Sequence, residues 1–194
     1  FDYSFLRNIP NITIMAPKDE HEFEAMIKTA VNHKKGAVAI RYPRGEVTGI
    51  EAPQKMEKIK IGEGELLTSG DDVTLIAVGT TVIPALNAAK KLNDEGIAAD
   101  VINARFVKPL DSDLIVDSAR RTKNIVTIEE NVLMGGFGSA VLEELENHEI
   151  FDIRTLRIGI PDKFIEHGDQ NKLRKKYGID EESIYKRVKE FLGK

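Results

Sequence analysis

The sequence contains no cysteine, no long apolar run and no excess of basic residues. The lack of cysteine excludes a disulfide framework, a thiol nucleophile and cysteine-ligated metal sites. No apolar run approaches the ~18 residues that a membrane-spanning helix needs, and the first residues do not resemble a signal peptide. The formal net charge is -4 with both signs interspersed, so the chain has no basic footprint for nucleic acid. We therefore expect a cytoplasmic protein that binds neither a membrane nor nucleic acid.

What the sequence does contain is typical of a soluble globular protein. Its 194 residues are 41% apolar and 31% charged, which allows one large domain or two small ones with a sizeable core. The chain begins at Phe1, in a segment dense in aromatic and apolar residues, whereas natural termini are usually polar. We therefore expect a fragment of a longer protein.

Predicted strands alternate with predicted amphipathic helices along most of the chain. The clearest unit is an apolar strand at residues 125–128, followed by a glycine turn at residues 135–138 and a helix. Further predicted strands are residues 65–67 and 156–160, both near an edge, and residues 101–107, as one strand. Such alternation predicts an α/β fold with a mostly parallel sheet and helices on both faces.

Local signals mark the boundaries of the predicted elements. Three aspartates are predicted to cap helix N-termini, and Glu22 is spaced to complete a capping box with the first of them. The capping residues are Asp19, Asp111 and Asp180. The apolar periodicity lapses from Gly45 to about Gly62, where charged residues and Pro53 take over, which indicates a linker between domains.

The glycine turn Gly135-Gly136-Phe137-Gly138 lacks the spacing of a nucleotide-binding loop. A dinucleotide fingerprint requires a third glycine where this sequence has Val141, and no Gly-Lys-Ser or Gly-Lys-Thr of a P-loop follows. Glycines allow the backbone to turn sharply and leave free N–H groups at the start of a helix. We favour this structural role over an anion or partner contact at the helix start.

The strongest chemical candidate is Arg44, in the segment Arg41-Tyr42-Pro43-Arg44-Gly45 at the carboxyl end of a predicted strand. Pro43 holds the preceding residue extended and Gly45 frees the turn, so Arg44 is predicted to project from a rigid corner into the crevice beyond the strand. A guanidinium there suits bidentate binding of a phosphate or carboxylate. An ion pair with an acidic side chain across the domain junction is an equally good interpretation of these residues alone.

Glu129, Glu130 and His167 are further candidates. The two glutamates follow a strand directly, where a general acid or base is one interpretation. Adjacent residues of a strand point in opposite directions, however, which favours a helix cap or a subunit contact. His167 is the only histidine in a predicted loop beside an acidic residue and a glycine, and a structural contact is favoured because no nucleophile shares its motif. No metal-binding spacing such as His-Glu-x-x-His occurs.

Six segments, in order across nearly the whole chain, carry a family resemblance. They are Phe1-Asp2-Tyr3-Ser4-Phe5-Leu6-Arg7, Met15-Ala16-Pro17-Lys18-Asp19-Glu20, Ile40-Arg41-Tyr42-Pro43-Arg44-Gly45, Asn103-Ala104-Arg105-Phe106-Val107-Lys108-Pro109-Leu110-Asp111, Glu129-Glu130-Asn131-Val132-Leu133-Met134-Gly135-Gly136-Phe137-Gly138-Ser139-Ala140 and Gly159-Ile160-Pro161-Asp162-Lys163-Phe164-Ile165-Glu166-His167-Gly168. Together they closely resemble the 1-deoxy-D-xylulose-5-phosphate synthase family, thiamine-diphosphate enzymes of the transketolase superfamily.

The resemblance implies an enzyme that decarboxylates pyruvate on thiamine diphosphate with Mg2+. The enzyme joins the two-carbon unit to D-glyceraldehyde 3-phosphate, for isoprenoid precursor and thiamine synthesis, and is a homodimer. The family's Gly-Asp-Gly and Asn motif for diphosphate and magnesium is absent, as are its pyrimidine-activating glutamate and the histidine that precedes the segment matching Phe1. The resemblance therefore implies a carboxyl-terminal fragment whose partner is the amino-terminal part of the same enzyme. We expect this fragment to supply no catalytic, cofactor-binding or metal residue and to be inactive alone.

By position, Arg44 corresponds to the family's arginine that binds the phosphate of glyceraldehyde 3-phosphate. No catalytic role transfers to Glu129, Glu130 or His167. The resemblance also implies a division into the end of a pyrimidine-binding α/β domain, a linker and a transketolase C-terminal domain with a mostly parallel five-stranded sheet flanked by helices. The respective ranges are residues 1–45, 46–60 and 61–194.

Two other classes of function stay open. A β-subunit or C-terminal part of another thiamine enzyme, such as a 2-oxoacid dehydrogenase or transketolase, would share the C-terminal fold, and a product assay would separate it from the synthase. A non-catalytic module that binds a partner through the carboxyl edge of the sheet is the second class. The codons that precede Phe1 would discriminate both from the synthase.

Overall fold

The computed structural model describes residues 1–43, 45, 47, 49 and 57–194. Arg44 and most of the predicted linker lie outside the described residues. The helices are Asp2–Leu6 (α1), Glu20–Asn32 (α2), Val82–Asp94 (α3), Ser112–Thr122 (α4), Phe137–Asn147 (α5), Gln170–Tyr177 (α6) and Glu181–Leu192 (α7), with a 3-10 turn at Gly79–Thr81. The strands are Ile12–Met15 (β1), Ala37–Ile40 (β2), Glu65–Thr68 (β3), Val73–Ala77 (β4), Ala99–Asn103 (β5), Phe106–Lys108 (β6), Asn124–Val132 (β7) and Arg154–Ile160 (β8).

The larger sheet of the described chain has five strands in the order β3-β5-β4-β7-β8. Strands β5, β4, β7 and β8 pair in parallel, and only β3 runs antiparallel to its neighbour. Helices α3 and α7 pack on one face of this sheet, and α4 and α5 pack on the other. The predicted mostly parallel sheet flanked by helices is therefore confirmed, as are the two predicted edge strands, β3 and β8.

The smaller sheet of the described chain has the order β2-β1-β6. Strand β1 pairs in parallel with β2 and antiparallel with β6, which comes from the later part of the sequence. The prediction of one strand over residues 101–107 was therefore wrong, because the larger sheet keeps β5 only as far as Asn103. Arg105 has a φ of 57°, and this left-handed conformation redirects the chain so that β6 joins the smaller sheet. The segment 101–107 is mostly apolar, with Asn103 and Arg105 inside it, and this pattern does not show which residue takes the left-handed conformation.

The three predicted helix caps are confirmed. The Asp19 carboxylate accepts from the Glu22 N–H at 2.7 Å, Asp111 caps α4, and Asp180 caps α7. The Glu22 carboxylate does not return the bond to the Asp19 N–H that a capping box requires, because it accepts from the Lys18 N–H at 2.7 Å instead. In the described part of the chain, no helix combines the length and the apolar character needed to cross a membrane.

Candidate functional site at the junction of the two sheets

The chain leaves β2 through a corner that begins at Arg41. The Arg41 N–H donates to the Met15 carbonyl of β1 at 2.8 Å, so the chain stays paired for one residue beyond the strand. Pro43 then restricts Tyr42 to an extended conformation. The Tyr42 ring is 60% exposed, yet it packs against the Phe23 ring of α2 with the ring centroids 4.7 Å apart. The described part of this segment is thus held to both β1 and α2.

Cavities open on two sides of the corner that precedes Arg44. One, of about 460 Å³, lies between the corner, β7 and α6, and the other, of about 250 Å³, lies between the corner and the start of α2. The first is lined by Arg41, Tyr42, Glu130, Phe164, Arg174 and Tyr177, among others. Both cavities lie beyond the carboxyl ends of parallel strands, where open α/β sheets bind ligands.

The Arg41 guanidinium contacts Glu130 at two points. Its Nη1 lies 3.1 Å from the Glu130 Oε2, and its Nη2 donates to the Glu130 main-chain carbonyl at 3.2 Å. The guanidinium carbon also lies 5.7 Å from the centroid of the Tyr3 ring, which is 1% exposed. An acidic side chain across the junction is thus bound by Arg41.

Glu130 also binds the side chains of two further elements. Arg174 of α6 donates from Nε to Oε1 at 3.0 Å, and Thr80 of the 3-10 turn donates from Oγ1 to Oε2 at 3.0 Å. The side chain of Glu130 is 15% exposed, so these charged contacts are partly shielded from water. Burial raises the pKa of Glu130, but Arg174 and Arg41 outweigh it and hold this pKa below its usual value. Glu130 is therefore an anion placed between two cations.

Glu129 points to the start of α5. Its carboxylate accepts from the N–H groups of Phe137 and Gly138 at 2.7 Å and 2.9 Å. The predicted helix-cap role is thus confirmed for Glu129, whereas Glu130 makes an intramolecular contact between elements. Burial raises the pKa of Glu129 to about 7, although these two N–H groups and the charge of Arg157 favour the carboxylate.

The glycine turn has the structural role that the sequence favoured. Gly135 has a φ of 65°, and a Cβ atom at Gly136 would collide with the Glu129 carboxylate. A Cβ at Gly138 would lie 2.5 Å from the Thr127 Oγ1 and 3.0 Å from the Arg157 Nε. The N–H groups at the start of α5 therefore bind the chain's own carboxylate, because only glycines leave room for it.

His167 is exposed in the loop between β8 and α6. Its neighbour Glu166 pairs with Lys176 and accepts from the Tyr177 hydroxyl at 2.6 Å, so the acidic residue of that motif holds α6 to the loop. Phe164 of the same loop lines the larger cavity, where His167 is not among the lining residues.

A second cluster of charges joins α2 to the larger sheet. The side chain of Glu22 is 1% exposed and accepts from the Lys18 Nζ, the Arg105 Nε and the Asn103 Nδ2 at 2.8 to 3.2 Å. Glu65 of β3 lies 3.2 Å from Lys18 and 2.9 Å from Arg105. Sequence analysis treated Glu22 only as a capping residue.

Sequence reasoning missed Arg41, Arg174 and Thr80. Arg41 shares its motif with Arg44, and the spacing of a strand end gives no reason to choose between the two arginines. Arg174 lies in the basic helix α6, whose composition is typical of a solvent-exposed helix. Only the distances across the junction single these residues out.

Among the described residues, no group of three or more His, Asp or Glu side chains is placed to bind a metal ion.

Two known domain families match this chain. The model of the transketolase C-terminal domain matches residues 62–184, and the model of the transketolase pyrimidine binding domain matches residues 1–49. The first match covers more than half of the chain. The chain therefore belongs to the transketolase C-terminal domain family, and its amino-terminal part is similar to the pyrimidine binding domain.

Individual proteins extend these matches over the whole chain. The 1-deoxy-D-xylulose-5-phosphate synthase 1 of Geobacter sulfurreducens is 54% identical over 193 residues, which cover 100% of this chain and 30% of that protein. The synthase of Halothermothrix orenii is 51% identical over 184 residues, or 95% of this chain and 29% of that protein. The chain thus spans about 30% of the length of these curated relatives.

A solved structure shares the fold. It is described as "Split gene transketolase, inactive beta4 tetramer", with a TM-score of 0.87 and 36% sequence identity. The match covers 99% of this chain and 61% of that chain. Both parts of the chain described above therefore occur together in a known transketolase-type structure.

Proposed function

We propose that this chain is the carboxyl-terminal part of a thiamine-diphosphate-dependent 1-deoxy-D-xylulose-5-phosphate synthase. The complete enzyme condenses pyruvate with D-glyceraldehyde 3-phosphate and releases CO2, for isoprenoid precursor and thiamine synthesis. The observation that carries the proposal is the 54% identity to the Geobacter sulfurreducens synthase over 193 residues. The proposal includes a homodimer in the cytoplasm.

Within the enzyme, this chain supplies the site for the substrate phosphate and a supporting scaffold. Arg44 binds the phosphate of glyceraldehyde 3-phosphate, because a guanidinium forms a planar, bidentate pair with phosphate oxygens. Support comes from the corner that precedes it, which is held to β1 and α2 and borders two cavities. We divide the chain at residues 1–45, 46–60 and 61–194, a division supported by the two family matches.

Thiamine diphosphate supplies the carbanion chemistry of the reaction, and the amino-terminal part of the enzyme holds it together with Mg2+. The 194 residues by themselves do not turn over, because cofactor, metal and proton-transfer groups must be held together for the reaction. Binding of thiamine diphosphate and Mg2+ to the isolated chain in calorimetry would contradict this division of labour.

A product assay tests the function as a whole. The complete protein that contains these residues is incubated with thiamine diphosphate, Mg2+, pyruvate and D-glyceraldehyde 3-phosphate, and the products are identified by mass spectrometry. We expect 1-deoxy-D-xylulose 5-phosphate and CO2. Two-carbon transfer between sugar phosphates without consumption of pyruvate would instead favour a transketolase, the second candidate, which the 36% identity to the split-gene transketolase supports.

The role of Arg44 has its own test in the same protein. The substitution Arg44→Ala removes the proposed phosphate ligand. The KM for the phosphorylated aldehyde should therefore rise at least tenfold, while the KM for pyruvate changes little. Equal losses for the two substrates would contradict the assignment.

A further inference from the structure

Strand β2 lies at one edge of the smaller sheet. It pairs in parallel with β1, and no other described strand lies on its far side. The Arg41 N–H donates to the Met15 carbonyl of β1 at 2.8 Å. Because the backbone groups of successive strand residues point to alternate sides, those of Val38 and Ile40 face away from β1. The outer side of β2 therefore presents an N–H and a C=O group at each of these two residues.

The sequence of β2 lacks the charge and the proline that protect an exposed edge. Natural edge strands carry charged side chains, proline or bulges, or they are covered by another element. The four residues Ala37–Ile40 are all apolar, and none of them is fully buried. The edge strands of the larger sheet are charged instead, with Glu65 in β3 and with Arg154 and Arg157 in β8. The β2 edge is thus suited to pairing with a further strand.

Helix α2 extends this apolar surface. Phe23, Ile27 and Val31 follow one another at intervals of four residues, so they lie along one side of the helix. The Phe23 ring packs on Tyr42, the second residue after β2, which places this side of the helix near the β2 edge. Ile27 is 42% exposed and Val31 is 78% exposed. We call β2 together with these three residues of α2 the β2 surface.

We propose that the β2 surface docks a strand and a helix from the amino-terminal part of the complete enzyme. The added strand pairs with the backbone groups of Val38 and Ile40, and apolar side chains of the added helix cover Ile27 and Val31. This inference rests on the proposed function, in which the chain is one part of a longer synthase.

Two observations favour this occupant. The chain spans about 30% of the length of its curated relatives, so most of a protein of that length lies outside it. The part that matches the pyrimidine binding domain, residues 1–49, contributes only β1 and β2 to the smaller sheet, whose third strand comes from the later part of the sequence. Sheets usually have about four to six strands, and β2 offers a side on which this sheet can grow.

Hydrogen exchange in the complete protein tests the pairing directly. Exchange is followed by mass spectrometry with fragmentation that resolves single N–H groups. We expect the outward N–H groups of Val38 and Ile40 to exchange within about tenfold of those of Ala39 and Arg41, which face β1. If Ale39 and Arg41 alone were protected, the outer side of β2 would be free and the inference would be wrong.

A proline at position 38 provides a second measurement. Val38→Pro removes an outward N–H and leaves the bonds to β1, and proline is tolerated on a free edge. If another strand pairs there, the melting temperature of the complete protein should fall by at least about 4 °C. Val38→Ala is the matched control, because it keeps the N–H, and it should cause a smaller shift. Equal shifts would contradict the inference, and the exchange of the wild type decides the matter where Val38→Pro does not fold.

A photo-crosslinker identifies the occupant. The substitution Val31→p-benzoylphenylalanine in the complete protein should give a crosslink, mapped by mass spectrometry, to a segment of the same polypeptide that precedes Phe1. A crosslink to a second copy, a crosslink to residues 46–60 of this chain, or no crosslink at all would overturn the inference.

The product assay on the same protein separates this inference from the proposed function. A complete protein that forms no 1-deoxy-D-xylulose 5-phosphate would refute the proposed function. An active synthase whose Val38 and Ile40 N–H groups exchange freely would refute only the docking of a strand on β2.

Discussion

The carboxylates of Glu129 and Glu130 are neighbours on β7 and bind groups on different elements. Glu129 accepts from two backbone N–H groups at the start of α5, whereas Glu130 pairs with two arginines at the junction of the sheets. The side chains of a strand alternate in direction, which accounts for the separation. Burial acts on both carboxyl groups, yet the pKa of Glu129 rises to about 7 and that of Glu130 falls. Of the two carboxylates, Glu130 forms ion pairs with Arg41 and Arg174 at 3.1 and 3.0 Å, whereas the hydrogen bonds of Glu129 come from backbone N–H groups.

The raised pKa of Glu129 predicts a dependence of stability on pH. Its pKa is about 7 in the folded chain and 4.5 in the unfolded chain, so the folded state binds the proton more tightly. The contribution to stability is fully present below pH 4.5 and is lost as the pH rises towards 7. Glu129→Gln cannot ionise, so the wild type should lose about 3 kcal/mol relative to this variant between those values.

Urea denaturation of both proteins at several pH values measures this difference. The m-value should stay the same in the two proteins, which ensures that the compared transitions are equivalent. A difference in the free energy of unfolding that is constant from pH 4.5 to 7.5 would contradict the raised pKa of Glu129.

Glu130 predicts the opposite dependence. Arg174 and Arg41 hold its pKa below the usual 4.5, so its contribution is present above pH 4.5 and is lost as the pH falls below that value. At pH 7, Glu130→Gln should lower the free energy of unfolding by about 3 kcal/mol, because two partly buried guanidinium groups lose their anion. The gap between variant and wild type should narrow on acidification below pH 4. A gap that widens there would show that Glu130 is not ionised in the folded chain.

A side chain at position 138 should cause a steric clash at the start of α5. An alanine Cβ would lie 2.5 Å from the Thr127 Oγ1, so Gly138→Ala should destabilise the chain by about 2 kcal/mol. The Thr127 hydroxyl has no hydrogen-bond partner among the described residues, so adding Thr127→Ala should recover part of the loss. Chemical denaturation measures both effects.

Gly168 provides the control for this substitution. The atoms nearest to a Cβ there belong to the Leu173 side chain, at 3.6 Å, which is an ordinary van der Waals contact. Gly168→Ala should therefore change stability by less than about 0.5 kcal/mol. If alanine at positions 138 and 168 changed the free energy of unfolding equally, the close contacts around Gly138 would not be the reason that glycine is required there.

Substitution of Glu22 should weaken the contact between α2 and the larger sheet. Its side chain is 1% exposed and is bound by two cations, so Glu22→Gln should cost about 3 kcal/mol. Among the described residues, the exposed Glu24 forms its ion pair with Lys28 on its own helix, and Glu24→Gln should cost less than about 0.5 kcal/mol. Hydrogen exchange should report faster exchange in α2 for the first variant alone. Unchanged exchange in α2 would contradict the claim that Glu22 holds this helix to the larger sheet.

The sequence by itself was enough to predict the features that depend on a few neighbouring residues. The aspartate caps bond N–H groups two or three positions away, and the apolar runs give strands whose burial follows from composition. The glycine turn could also be assigned, because glycine itself allows the positive φ of Gly135, whereas the side chains that crowd Gly136 and Gly138 come from outside the turn.

The tertiary structure decided the features that join distant positions. Glu130 lies 89 residues from Arg41 and 44 from Arg174, and no spacing in the sequence pairs these charges. The transfer of β6 to the smaller sheet depends on one left-handed residue, Arg105, between Ala104 and Phe106. The periodicity of apolar residues and the capping of helices are properties of a short segment of chain. The partners of the charged side chains at the junction depend instead on how the two sheets pack.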